Sequence, residues 1–372
     1  NAARYPPGQD LGDAGNKRTS VATRLVELAR DLVLIHTPEN VAYAVIQRNG
    51  HAETWALSSH FIKGYLARRY FEETGGVPAS QALQDALMVL RGQALFSGRE
   101  EPVYRRLAAR DGKLCLDLCD PGWRVVEIAA GGWQVIPSSP VLFVRSPSMA
   151  ALPGPVRGGN LDLLREFLNV ENGDWPLLLG WTLGLMMPEG PYPVLVLTGE
   201  HGSAKSTMVK VLRLLVDPST IPLRSLSRNE HDLAIAARNS WVIAFDNVSI
   251  LSPWLSDAIC RLATGGGFAT RELYTDADEV LFDSKRPVVL NGIGDIATQS
   301  DLLDRAIIIT LPIISDNKRR TEEKLWGEFE SVRPMIMSTL LDAVVLALRD
   351  VKSVTLGASP RMADFAKWVV AA

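Results

Sequence analysis

The strongest chemical signal is the run Thr198-Gly199-Glu200-His201-Gly202-Ser203-Ala204-Lys205-Ser206-Thr207, which follows an apolar stretch and precedes the helical pattern Met208 to Val216. Glycines in such a turn let backbone N–H groups curl around phosphate oxygens. The start of the following helix adds partial positive charge, Lys205 can reach the β and γ phosphates, and the Ser206 hydroxyl can ligate magnesium. Residues Gly199, Glu200, His201, Gly202, Ser203, Ala204, Lys205, Ser206 and Thr207 are therefore expected to bind a nucleotide, with ATP and Mg2+ as cofactors. Ala204 stands where a glycine before the lysine is usual, so its φ is expected to be negative.

Three further positions complete a possible phosphoryl-transfer site. Trp241-Val-Ile-Ala-Phe245 ends in Asp246-Asn247, an apolar strand delivering a carboxylate at its C-terminal edge, where a magnesium-holding acid belongs. Asn247 occupies the position at which many ATPases carry a second acid to polarise the attacking water, which leaves the general base open. Pro287-Val-Val-Leu290 ends in Asn291-Gly292, an amide able to orient that water or sense the γ phosphate. Asp301-Leu-Leu-Asp304-Arg305 precedes another apolar run. Arg305 there reads either as a finger stabilising charge in a neighbouring subunit, worth roughly 10³ to 10⁵ in rate, or as half of a surface ion pair.

The elements that must hold these residues are strands at Val194 to Thr198, Trp241 to Phe245, Val288 to Leu290 and Ala306 to Leu311. Such Val, Ile and Leu runs suit parallel strands covered on both faces. Upstream, helical spacing at Thr19 to Asp31, Ser58 to Tyr70 and Ser80 to Leu95, and short strands between Tyr104 and Arg145, indicate a mixed α and β domain. The Pro- and Gly-rich stretch 146–160 reads as a linker. The expected organisation is a smaller α+β domain at 1–155 followed by an α/β P-loop domain with a parallel central sheet at 156–372.

Composition narrows the class. In 372 residues, 47% are hydrophobic and 22% charged, which suits a folded globular protein of two domains or more. Lys and Arg total 39 against 42 Asp and Glu, a formal net charge of -3, so any nucleic-acid contact must be local. Three cysteines form neither a disulfide framework nor a zinc site, and reduced thiols in a cytoplasmic protein are expected. The apolar stretch Trp175 to Met187 is shorter than the roughly 20 residues of a membrane span, so no membrane partner is expected. The absence of an initiator Met and the end at Trp368-Val-Val-Ala-Ala suggest a piece of a longer chain.

The succession of P-loop, Asp246, Asn291 and Arg305 resembles the ATPase core of superfamily 3 helicases, within the AAA+ class. Ser256-Asp257-Ala-Ile-Cys-Arg261-Leu-Ala-Thr-Gly265-Gly266 leading to Arg271-Glu-Leu-Tyr274-Thr-Asp276 looks like the motif and hairpin that this superfamily places before its third motif strand. The relatives implied are primase-helicases of phage, plasmid and viral type. The resemblance covers Leu161 to Leu348. It implies phosphate binding at Gly199, Gly202, Lys205, Ser206 and Thr207, magnesium at Ser206 and Asp246, sensing at Asn291 and a trans finger at Arg305. It also implies a homo-oligomeric, hexameric ring with ATP between subunits, gripping single-stranded or forked DNA, with a primase domain on the same longer chain. Family hairpins carry Lys or His at the tip, whereas this one carries Asp276, Asp278 and Glu279. DNA contact would pass to Arg271, Tyr274, Lys285 and Arg286.

The leading expectation is thus an ATP-dependent DNA helicase or translocase, in which Lys205, Asp246, Asn291 and Arg305 do the chemistry. The alternative is a non-motor nucleotide switch that assembles on DNA or a partner protein with weak turnover. A small-molecule kinase shares the P-loop but needs an arginine-rich lid. Two lesser clusters, Lys63 with Arg68 and Arg69, and Tyr104 with Arg105 and Arg106, read either as nucleic-acid contacts or as solvated faces.

Overall fold

The computed structural model describes residues 19–227, 229–266, 268–271, 279–282, 285–358 and 360–372. Two compact units emerge, residues 1–46 with 55–101, and residues 47–54 with 102–372.

In the first unit, strands Val33–His36 and Ala42–Arg48 pair antiparallel with Val33 opposite Val45, and Arg99–Glu100 joins Val33–His36 in parallel. Helices Val21–Leu28, His60–Thr74 and Ser80–Ser97 bury Leu25, Ile62, Leu66, Ala86, Leu90 and Ala94 in one core with Ala44 and Ile46. Local chemistry sets the middle helix. Ser59 Oγ accepts from the Ile62 N–H at 3.3 Å, and Gly75 ends the helix in the left-handed region at φ 68°. On its surface Arg68 pairs with Glu72 and Arg69 with Asp31, so these arginines serve a solvated ionic face.

In the second unit, Leu107–Arg110, Lys113–Asp117, Val125–Ala129 and Gly132–Ile136 form an antiparallel meander in chain order. Its first turn is Asp111-Gly112, both at positive φ, as a two-residue hairpin turn requires. The central sheet is four-stranded and wholly parallel. Its order is Ile243–Val248, Val288–Gly292, Val194–Thr198 and Ala306–Thr310. Val194 to Leu197, Ile243 to Phe245 and Val288 to Leu290 are buried, as strands covered on both faces must be.

The units divide near residue 101, not near the boundary expected at 155. Leu107, Leu114, Leu116, Val126 and Ile128 of the meander share a core with Ile336, Met337, Leu340 and Val344 of the long helix Glu322–Asp350. The Pro- and Gly-rich stretch is laid down along the protein instead of linking two domains. The Ala150 N–H donates to Pro218 O at 2.9 Å, that of Leu152 to Leu118 O at 2.8 Å and that of Val156 to Pro334 O at 3.0 Å. Glu322–Asp350 is long and apolar enough to cross a membrane by composition, but its apolar face fills this core.

Arg106 and Asp217 pin these parts together. Arg106, fully buried, donates from Nε to Asp217 Oδ1 at 3.1 Å and from its other nitrogens to the carbonyls of Asp117, Ala150 and Pro218. Arg213 Nη2 donates to Asp217 Oδ2 at 3.2 Å, and the Trp241 and Val242 N–H groups reach the same oxygen at 3.0 Å each. Arg106 is therefore an internal tether, and the reading of Tyr104 to Arg106 as a nucleic-acid patch does not hold for it.

Candidate functional site

Parallel strands deliver their C-terminal ends to one edge of a sheet, where open α/β proteins bind ligands. Here that edge collects the P-loop candidate, Asp246 and Asn291 from three adjacent strands. The turn after Thr198 runs through Gly199 at φ 146° and Gly202 at φ 80°, conformations that a side chain would strain. A Cβ on Gly199 would lie 2.8 Å from Leu311 O and 2.9 Å from Ser203 Oγ, so the first glycine is required by space as well.

Ala204 departs from expectation. It sits at φ 63°, ψ 30°, in the left-handed region, directly before helix Lys205–Val216. The loop needs this turn to aim the helix start inward, and alanine accepts it at a cost of about 1 kcal/mol. Ala204→Gly should therefore leave stability within about 1 kcal/mol of the wild type, because strain relief is offset by greater freedom of the unfolded chain. Ala204→Val, β-branched in the same conformation, should lose about 1 to 3 kcal/mol. Urea unfolding of both variants checks this, and equal stabilities would contradict the left-handed geometry.

Among the described residues no side chain caps this helix, so its first N–H groups open toward the loop. Ser203 is buried and donates from Oγ to Glu200 O at 2.8 Å, bracing the turn. Glu200 and His201 are exposed, and Thr207 lies half-buried in the first helical turn. Lys205 Nζ donates to Gly199 O at 2.7 Å and Glu200 O at 2.9 Å, so its charge lies along the inside of the turn. Burial pushes its ammonium below the ordinary lysine value, against the carboxylates of Glu200 and Asp246.

The Ser206 hydroxyl donates to Asp246 Oδ1 at 2.9 Å, joining helix and neighbouring strand. The strand register shifts between Phe245 and Val248, and Asn247 takes φ 54°. This bulge turns the Asn247 N–H toward Asp246 Oδ1 at 3.0 Å and Asn291 Oδ1 at 3.2 Å. Asn291 is 1% exposed, and its Nδ2 has no hydrogen-bond partner among the described residues. A buried amide with an unused donor is costly, and the donor suits an oxygen-rich ligand at this edge. Hydroxyl, carboxylate and amide are oxygen donors of the kind magnesium takes, and they fit ATP with Mg2+.

The remaining expected residues lie elsewhere. Arg305 immediately precedes the last strand, and its carbonyl accepts from the Val194 N–H at 2.9 Å, at the opposite edge of the sheet from Gly199. A strand of that length spans about 16 Å. Arg305 donates to Asp301 O at 2.9 Å and is ion-paired with the Asp301 carboxylate. Lys285 Nζ donates to Gly190 O at 3.2 Å. Arg286 donates to the carbonyls of Ala237 and Lys285 and lies over the Trp241 ring. Burial pushes the Arg286 guanidinium down to about 10, still protonated at neutral pH. Arg286 is thus half-buried and engaged by the protein itself. Arg271 ends strand Phe268–Arg271, which pairs antiparallel with Glu279–Phe282. Tyr274 lies outside the described residues, with Asp276 and Asp278.

Sequence reasoning passed over Asn169. Its Nδ2 donates to Ser203 O at 2.9 Å and Pro312 O at 2.6 Å, fastening the loop to the segment that follows the last strand. A lone Asn after a short helix gives no signal for such a bond.

A parallel α/β sheet whose Gly-rich turn joins strand to helix, with Ser, Asp and Asn meeting at its C-terminal edge, defines the P-loop class expected from the motifs. Residues 161–371 match the family of actinomycete integrative conjugative element replication proteins, and the chain belongs to that family. It is a replication protein of a mobile element. Among solved structures, the apo C-terminal region of NrS-1 is 13% identical with a TM-score of 0.48, covering 85% of this chain and 67% of that one. A JCV helicase structure is 10% identical with a TM-score of 0.34, covering 56% and 59%. No curated protein matches the chain.

Proposed function

We propose that this chain is an ATP-dependent DNA helicase or translocase that works in replication of the element, as a hexameric ring on single-stranded or forked DNA. The observation that carries the reading is the meeting of Ser206, Asp246 and Asn291, with the unused Asn291 donor, beside the Lys205 turn. Lys205 leaves the carbonyls of Gly199 and Glu200 to pair with the β and γ phosphates. The turn's N–H groups and the helix start hold the phosphate chain. Ser206 and Asp246 would hold magnesium, which supplies positive charge at the phosphates when bound. Asn291 uses its free N–H to orient the attacking water or the γ phosphate. A primase domain on the same longer chain would complete the replication role. The test is ATP hydrolysis with magnesium, with and without single-stranded DNA, beside the mass in solution. Stimulation at a ring-sized mass supports the motor, and a monomer indifferent to DNA overturns it.

Arg305 acts in this reading on the ATP of a neighbour, because its own loop lies at the far edge of the sheet. Arg305→Ala and Lys205→Ala chains, each inactive alone, should recover part of the ATPase activity when mixed, since a hybrid interface pairs the two intact halves. No recovery with assembly confirmed contradicts trans action.

Asn247 favours a second reading, a nucleotide switch with weak turnover. An exposed amide stands where a carboxylate would polarise water, and its N–H already bridges Asp246 and Asn291. DNA-stimulated turnover separates the two.

A further inference from the structure

The segment after the last strand folds back over the phosphate turn. The Leu311 N–H donates to Thr198 O at 2.9 Å, the Ile314 N–H to Gly202 O at 3.3 Å, and Asn169 bridges Pro312 O to Ser203 O. These bonds hold a strap against both ends of the turn. At its far end the 3-10 turn Asp316–Lys318 delivers Arg319, whose Nη2 lies 3.0 Å from the position a Cβ would take on Gly202. A guanidinium thus rests on the glycine whose φ of 80° bends the loop. Among the described residues its one ion pair is with Asp316, Nη1 to Oδ1 at 3.2 Å, where the side chains are 55% and 92% exposed. So exposed a pair is weak. A phosphate chain in the turn, carrying several charges and geometry suited to a planar fork, outcompetes one solvated carboxylate.

We propose that Arg319 is a second phosphate-binding cation, supplied by the same chain, which exchanges Asp316 for the nucleotide when the turn fills. Lys205 approaches the phosphates from the helix side and Arg319 from the strap side, across Gly202. The exchange also links nucleotide occupancy to the strap, and through Asn169 to residues just after helix Leu161–Arg165. Gly202 then has two reasons to lack a side chain, its backbone and the arginine packed upon it.

The inference rests on the reading of residues 199–207 as a phosphate loop, and the test separates the two. ATP binding with magnesium is titrated calorimetrically on the full chain, its Lys205→Ala, Arg319→Ala, Arg319→Lys and Asp316→Ala variants, at one ionic strength. Arg319→Ala should weaken ATP about tenfold with an unchanged melting temperature, since the side chain is exposed. Arg319→Lys should recover part of the loss, and Asp316→Ala should tighten binding by removing the competing carboxylate. Arg319→Ala binding like the wild type, while Lys205→Ala binds poorly, overturns the role of Arg319 and leaves the loop standing. Wild type and Lys205→Ala binding alike overturns the loop reading, and the inference falls with it.

Discussion

Lys205→Ala is expected to lower ATP turnover by about 10² to 10³-fold, the effect of removing one preorganised charge from developing phosphate charge. The structure gives reason to expect the loss in chemistry as well as in binding. Lys205 Nζ rests 2.7 Å from Gly199 O and 2.9 Å from Glu200 O, so part of its interaction is already made before a nucleotide arrives. Only its excess attraction for phosphate over those carbonyls counts toward binding, whereas charge gathering in the transition state is met in full. Fold stability should change little, because the bonds Lys205 makes are local to a turn that Ser203 and Asn169 also brace. The measurement is magnesium-dependent phosphate release by wild type and variant at matched melting temperature. Turnover within threefold of wild type would remove Lys205 from the site.

The P-loop and its strands were legible because they are local patterns. Runs such as Val194 to Leu197 and Val288 to Leu290 can only be buried on both faces, and Gly199 to Ser206 sits between strand and helix as the motif requires. The placement of Asp246 and Asn291 at one end of the sheet was legible for the same reason, each ending an apolar run. The boundary at 155 was misread because proline and glycine exclude regular structure without excluding contact. Residues 150, 152 and 156 bond to carbonyls at 218, 118 and 334, distant in sequence. Ala204 was misread because the usual glycine there marks the conformation the loop imposes, and alanine is the smallest residue with a side chain that bears it. Arg286 was expected at DNA because a strand-end Lys-Arg pair gives no sign of the Trp241 ring and Ala237 carbonyl that engage it. Arg106 looked like part of a basic surface because its counter-ion lies 111 residues away. Arg319 sat unnoticed in Lys318-Arg319-Arg320, a charged run whose meaning comes from the strap that brings it over Gly202.

That distant counter-ion predicts the largest stability effect in the chain. Asp217 is 1% exposed and receives Arg106, Arg213 and two backbone N–H groups. Burial alone would raise its pKa, but the two guanidiniums outweigh that cost, and the carboxyl stays below its ordinary value. A depressed carboxylate contributes stability that is present above its unfolded pKa, near 3.9, and is lost as pH falls through the lower folded value. Asp217→Asn keeps the shape and removes the charge, leaving two buried guanidiniums without a counter-ion. The expected loss is about 3 to 5 kcal/mol, on the order of 10 °C in melting temperature for a unit of this size. Arg106→Met should cost less, because Arg213 still answers the carboxylate and the methionine stem fills much of the same space. The two substitutions together should cost less than their sum, since Arg106 is one of the charges that Asp217→Asn strands. Thermal unfolding of the two single variants and the double variant measures that coupling. Strict additivity, or a loss below 1 kcal/mol for Asp217→Asn, would mean that water reaches the cluster and that the meander, the 146–160 stretch and the P-loop helix are held by apolar packing alone.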